Sequence, residues 1–159
     1  MDGFQAWYTL CMLRRARPHD SGPIAEVFLA SRRTFLPYAP LARSSPEVRR
    51  WVDDTLVVTR TVWVHEEGGR ITGFAAWTQT AEAGWIDHIY VLPGETGKGA
   101  GAQLLAQALQ DLKRPVRLYT FQANEGARRF YERHGFRAIR FGDGSDNEER
   151  CPDVLYEYP

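Results

Sequence analysis

The sequence predicts an α/β (α+β) fold: one mixed, mostly antiparallel, twisted sheet of about six or seven strands, with about four helices divided between its two faces. Three observations carry this. Two β-rich runs, 61–66 and 70–79, flank Glu67-Gly68-Gly69, which is a hairpin signal. Later in the chain, β-rich and helix-periodic runs alternate, as in a section with crossover connections. The chain has 159 residues, 43% of them apolar and 25% charged, which suits a globular domain with a sizeable core. The expected organisation is an extension over residues 1–10 and one domain over residues 11–159.

The elements follow in order. Residues 11–17 read as a strand, and Pro18-His-Asp-Ser-Gly-Pro23 as a turn in which Asp20 or Ser21 caps the next helix. Ile24, Val27, Phe28 and Ser31 mark one face of that helix. Thr34 to Pro40 is an aromatic, proline-punctuated loop. A second helix starts with Ser45 as cap and Pro46 in the first helical position, and buries Val48, Trp51, Val52 and Leu56. The hairpin follows, then a strand over 84–92 and a helix over 100–113 with a stripe at Leu104, Leu105, Ala108, Leu109 and Leu112. Residues 115–121 read as a strand. Asn124 caps a helix whose inner face is Ala127, Phe130, Tyr131 and His134, and Gly135 stops it. Strands over 136–141 and 154–158 flank a polar, mobile loop, Gly142 to Glu149.

Composition excludes several classes. Formal net charge is zero, so bulk electrostatics offers no case for nucleic acid or an anionic membrane. Cys11 and Cys151 are far apart with no CxxC partner, so neither a metal nor a disulfide framework is expected, and a cytoplasmic setting fits. The N-terminus lacks a signal-peptide pattern, and no run is long enough for a membrane span. Aromatic content of 13% is high and is compatible with a ligand groove.

The stretch from Ile86 to Leu105 organises the chain. An apolar strand breaks at Pro93-Gly94, passes Gly97, Gly99 and Gly101, and enters a helix. Glycines permit positive φ and close ligand approach, and the first N–H groups of the helix are free to bind an anion. The spacing fits neither a Walker loop nor the dinucleotide fingerprint.

Val91-Leu-Pro93, Gly97-Lys-Gly99-Ala-Gly101 and Leu104-Leu105 together resemble the acetyl-CoA motif of the GNAT N-acetyltransferase superfamily. Asn124-Glu-Gly-Ala127-Arg-Arg-Phe130-Tyr131 through Gly135-Phe136 is similar to that family's second motif. The resemblance covers roughly residues 11–158 and is sharpest over 84–137. One departure is Thr96, which stands where the family usually has Arg or Gln.

The resemblance implies direct transfer of an acetyl group from acetyl-CoA to a primary amine in a ternary complex, with no metal. It places the pantetheine arm along Ile89, Tyr90 and Val91 as an added strand. It places the pyrophosphate on Thr96, Gly97, Lys98, Gly99, Ala100 and Gly101, with Lys98 as a nearby positive charge, and assigns Asn124 to cap a helix and hold the arm. Tyr131 takes the position of the acid that protonates the departing thiolate, and a phenol of pKa about 10 stays protonated at neutral pH. By the family pattern a homodimer is an option.

The general base has three candidates. Asp87 lies in an otherwise apolar strand, on one face with Trp85 and Ile89 by the period of two, and an acid there is costly without a purpose. His88 faces the other way and reads better as a satisfied core histidine. Deprotonation through water is the third. Asp87 is favoured, and Tyr119 stands where some family members carry a glutamate base. For the acceptor pocket, Phe35, Tyr38, Trp51, Trp77 and the Asp146–Glu149 loop, Glu148 included, combine aromatic and acidic groups that suit a cationic amine. A catalytically silent acyl-CoA-binding module is the alternative function, and a nucleotide-binding protein is a third class; turnover and ligand preference separate them.

Overall fold

β-branched and aromatic runs form seven strands: β1 (Cys11–Arg15), β2 (Thr61–Glu67), β3 (Arg70–Gln79), β4 (Gly84–Val91), β5 (Val116–Phe121), β6 (Arg137–Gly142) and β7 (Asp153–Tyr158). These come from a computed structural model that describes residues 11–159, so the extension expected over 1–10 lies outside the described residues. The strands make one sheet in the order β1-β2-β3-β4-β5-β7-β6. Every pairing is antiparallel except β4 with β5, which is parallel. The β2–β3 hairpin turns on Gly68 and Gly69, with φ of 59° and 79°, the left-handed pair a two-residue turn requires.

Helices cover both faces. α1 (Ser21–Phe35) lies on one, with a second helical rod formed by α2 (Ser45–Trp51), a π-helical turn (Val52–Leu56) and α3 (Val57–Thr59). Here Ile24, Phe28, Val48 and Val52 pack on Val62, Val64 and Phe74. α4 (Ala100–Asp111) and α5 (Glu125–Arg133) cover the other, where Leu104, Leu105 and Tyr131 meet Ala75, Trp77, Ile86 and Tyr156. Each large apolar side chain fully buried in these layers contributes about 1.5–3 kcal/mol. No described helix is long and apolar enough to cross a membrane.

The local expectations need four corrections. The cap of α2 is Ser44, not Ser45: Ser44 Oγ accepts from Glu47 N at 3.3 Å, and the Glu47 carboxylate accepts from Ser44 N at 2.7 Å. Asp20 occupies the capping position of α1 without capping it, because Arg14 and the Arg17 amide take its carboxylate. β6 starts one residue late, because Phe136 turns into the core at 2% exposure. The 142–149 loop, expected to be mobile, is tied down: Asn147 exchanges hydrogen bonds with Cys151, and Glu149 meets Arg32 at 3.0 Å.

Two irregularities position the site. β4 and β5 pair only at Gly84↔Val116 and Trp85↔Arg117, then diverge. At their junction a Cβ on Gly84 would lie 2.8 Å from Leu112 Cβ, so the close crossing requires glycine. The second is a register shift opposite Ala76 and Trp77: His88 pairs with Ala76 and Ile86 with Trp77, which leaves Asp87 as the extra residue of a bulge. The bulge breaks the period of two. Ile89 packs on the α4 side with Ala75, while His88 turns to the α1 side among Phe28, Trp51, Phe74 and Tyr90. Asp87 therefore does not share a face with Ile89, as simple alternation had it, and lies instead toward Tyr119, on which Trp85 stacks.

Candidate active site

The divergence of β4 from β5 opens a gap in the middle of the sheet, and two larger cavities meet in it. The gap is lined by Ile86 to Tyr90 on one side and Leu118 to Phe121 on the other. A cavity of about 770 Å³ lies toward α4 and α5, and one of about 800 Å³ lies toward the 140–153 segment. Tyr90 lines all three spaces.

The first cavity gathers Ile89, Tyr90, Val91, Thr96, Gly97, Gly99, Ala100, Gly101, Asn124 and Tyr131. Among the described residues no strand lies beside β4 beyond Trp85 on the β5 side, and the edge carrying Ile89 to Val91 borders the first cavity. Gly97 and Gly99 have φ of 78° and 92°, which turn the loop into α4. The first α4 bond with its cap runs from Gln103 N to Gly99 O, so the amides of Ala100, Gly101 and Ala102 precede the helical ladder. No acidic side chain sits in the first turn of α4. This end of the helix, facing a cavity, is built to receive an anion.

Lys98 does not line this cavity. Its ammonium pairs with Glu95 at 3.0 Å, and its effect is to neutralise an acid on the rim rather than to add a free positive charge. Asn124 caps α5, its Oδ1 accepting from Ala127 N at 3.2 Å. The cap fixes the turn in which α5 begins at the wall of the cavity. Tyr131, about two turns on, is 8% exposed and lines both the first cavity and the gap. Burial first, and Tyr90 second, push its phenol well above the ordinary range, so it is protonated at any working pH.

The second cavity holds Asp87 and His88, with Arg32, Tyr119, Phe121, Arg140, Phe141 and Glu149. Asp87 accepts from Arg60 Nε at 2.9 Å, and its side chain keeps 30% of its exposure. Burial raises its pKa, and the Arg60 charge and hydrogen bond partly offset this. His88 is held down to about 4, first by burial and then by the charges of Arg32 and Arg60. Its imidazole is therefore neutral at neutral pH.

The folded-state pKa of His88 lies below the ordinary 6.5, so its contribution to stability is complete above that pH and is lost as pH falls toward 4. The expected loss over this window is up to about 3 kcal/mol, read by urea unfolding as a function of pH. A His88→Gln variant should show a flatter profile over the same window; an unchanged profile contradicts the assignment.

The pocket residues expected from sequence divide. Phe35 and Tyr38 line the first cavity, at 43% and 40% exposure, and Tyr38 stands edge-on to Phe121 at the boundary with the second. Trp51 packs behind His88, with ring centroids 5.4 Å apart. Trp77 is a correction: at 1% exposure it lies in the core under α4, its indole N–H bonded to Asp111, and it faces neither cavity. Glu148 is also displaced. It points outward to Arg43 at 3.5 Å, and it is its neighbour Glu149 that joins the aspartates on the second cavity. Sequence reading missed Arg32, although it stands four residues after Phe28 and so on the apolar stripe of α1.

Comparisons with known proteins bear on the family and the fold. The model of the acetyltransferase (GNAT) family matches residues 28–136. Among solved structures, an acetyltransferase from Thermus thermophilus is 21% identical, covering 94% of this chain and 96% of its own, with a TM-score of 0.75. YncA of Salmonella typhimurium, solved with its cofactor acetyl-CoA, is 20% identical over 94% and 92%, with a TM-score of 0.71. The PaiA N-acetyltransferase of Thermoplasma acidophilum, in complex with coenzyme A, is 19% identical over 93% and 98%, with a TM-score of 0.70. At these identities the structural likenesses establish the fold. No curated protein matches the chain.

Proposed function

The chain belongs to the GNAT acetyltransferase family, and from that premise we propose that it transfers the acetyl group of acetyl-CoA to a primary amine of a small molecule or peptide. The observation that carries the reading is the meeting of the two cavities at Tyr131, Asp87 and His88 in the gap between β4 and β5. The chain fits the donor. The free β4 edge at Ile89 to Val91 suits an extended amide-bearing arm, and the Thr96–Gly101 loop with the first α4 amides suits a pyrophosphate. Asn124, already the α5 cap, keeps a second oxygen lone pair for the arm. Thr96 offers a hydroxyl in place of a long cation, so backbone amides carry most of the anion binding.

Bound acetyl-CoA supplies an activated thioester. The amine enters from the second cavity and attacks the thioester carbon directly, in a ternary complex. The amine must first lose a proton, and Asp87 is the group assigned to take it, through water. Burial lifts the carboxylate toward a more useful basicity, whereas His88, lowered to about 4, has lost most of an imidazole's ordinary basicity. As the C–N bond forms and the C–S bond breaks, the nitrogen releases its second surplus proton to water, and the Tyr131 phenol gives its proton to the leaving sulfur and recovers one from that water. Tyr90 and His88 with Trp51 behind them keep the wall of this channel apolar and hold it in shape.

An acetylation screen over amine classes, read as CoA thiol release and product mass, tests the reading. Asp87→Asn should lower kcat about 10- to 100-fold and flatten the acid limb of the pH–rate profile, because the raised carboxylate is lost as the proton acceptor. Full activity in Asp87→Asn with an unaltered acid limb assigns deprotonation to water alone. Tight acetyl-CoA binding with no amine acetylated favours the silent acyl-CoA-binding module instead.

A further inference from the structure

Arg32 is the most unusual charged group in the second cavity. It is only 6% exposed, yet it carries a guanidinium with five N–H donors. It lies between the rings of Phe28 and Phe121, 6.0 and 5.7 Å from their centroids. One nitrogen, Nη2, donates to both Ala39 O and Glu149 Oε1, each at 3.0 Å. The buried Nε has no hydrogen-bond partner. A buried guanidinium held by one nitrogen of its fork is under-satisfied, since arginine matches a carboxylate best through two parallel bonds.

Besides Glu149, four carboxylates line the cavity, those of Asp87, Asp143, Asp146 and Asp153. Asp87 is paired with Arg60, Asp153 accepts from Asn147, and Asp143 accepts from Ser145 N. Arg140 bonds the Tyr119 hydroxyl at 2.7 Å and has no carboxylate within ion-pair distance among the described residues. Two guanidiniums thus border one cavity, the deeper one with an unspent donor. Glu149 meets Arg32 in a single-nitrogen contact and sits on a surface loop with 20% of its side chain exposed, so it is the exchangeable partner.

We propose that Arg32 binds a carboxylate on the acceptor, and that the acceptor is a small amine that also carries a carboxylate. This rests on the acetyl-transfer reading above. The ligand carboxylate takes the fork of Arg32 in place of the single Glu149 contact, with Arg140 at the rim. The amino group then lies toward Asp87, on the side of the cavity that opens into the gap. Arg32 is a specificity residue, not a group that touches the reacting atoms.

The test compares a graded series of ω-amino acids with their matched amides, alkylamines and diamines, in the full chain with saturating acetyl-CoA. The expected result is a kcat/KM about tenfold or more higher for the best carboxylate than for its amide, expressed in KM. Arg32→Lys should erase that preference while KM for acetyl-CoA stays unchanged. Because Arg32 is buried and its variant can fail to fold, Glu149→Gln provides a second reading: removal of the competing carboxylate should lower KM for the amino acid severalfold and leave the amide unaffected. Thermal shift with the N-acetylated amino acid and its amide reads binding without turnover, and only the carboxylate should raise Tm. Amides or diamines that equal or exceed the carboxylates overturn the proposal, as does an equal thermal shift for both products. Acetylation of amines without a carboxylate preference sinks this inference alone, whereas acetyl-CoA binding with no turnover sinks the acetyl-transfer reading.

Discussion

Replacing Tyr131 with phenylalanine is expected to lower kcat roughly 100-fold or more, the usual scale for loss of a general acid. Only the hydroxyl is removed. The ring stays in its place among Phe130, Phe136 and Tyr156, so the fold should be retained. KM for acetyl-CoA should change little, because the loop and the β4 edge proposed to hold it are untouched. The loss should shrink with an acyl donor whose leaving thiol is already acidic, since such a thiolate departs without a proton. Steady-state kinetics with acetyl-CoA and an aryl thioester analogue separate the two terms. Full activity in the variant, with either donor, removes Tyr131 from the chemistry and leaves it a core residue.

Phe74→Ala should destabilise the fold by about 3–5 kcal/mol, as large truncations in packed cores do. Phe74 is fully buried in β3 and faces the α1 side. Its ring lies 5.8 Å from Tyr90 and 6.3 Å from His88, so the cavity left behind opens directly under the wall of the active site. Urea unfolding should show a lower midpoint with an unchanged slope. Activity at low temperature should also fall, through loosening of His88 and Tyr90. A loss below about 1 kcal/mol means that the α1 layer collapses onto the gap, and it contradicts the tight packing described for this face.

The two predictions draw on parts of the chain that were unequally legible. Strands and helices could be read because each carries a clear period: Leu104, Leu105 and Ala108 in α4, the Gly68-Gly69 hairpin between β2 and β3, and the Asn124 cap with the Gly135 stop around α5. The loop from Thr96 to Gly101 was legible for the same reason, since glycine spacing is local information. What depends on pairing between distant segments was not. β7 inserts between β5 and β6, and nothing in either run states that order. The bulge at Asp87 exists because Ala76 and Trp77 on β3 meet Ile86 and His88 on β4, a register decided by the packing of both faces. Without the bulge, alternation puts Asp87 and Ile89 on one face, and that is where the sequence reading went astray.

Trp77 and Glu148 failed for related reasons. An aromatic residue in a strand reads alike whether it faces a ligand or a helix, and only the α4 layer, with Asp111 as partner for the indole, decides the question. Glu148 and Glu149 are adjacent and chemically identical, so only the path of the loop tells which of them meets Arg32. Arg32 itself was in view on the α1 stripe, but a charged residue at a core position becomes interpretable only once its cavity is known.

Acetyl-CoA is proposed to lie in the first cavity, along the β4 edge, with its pyrophosphate on the α4 loop and its thioester at the gap between β4 and β5. Amide chemical-shift mapping during titration of the ¹⁵N-labelled chain with acetyl-CoA tests it most directly. The expected result is a saturable set of shifts concentrated at Ile89 to Val91, Thr96 to Ala102 and Asn124 to Tyr131, with ATP and NAD producing far smaller ones at equal concentration. Shifts centred elsewhere on the molecule, or an equal response to ATP, contradict the account.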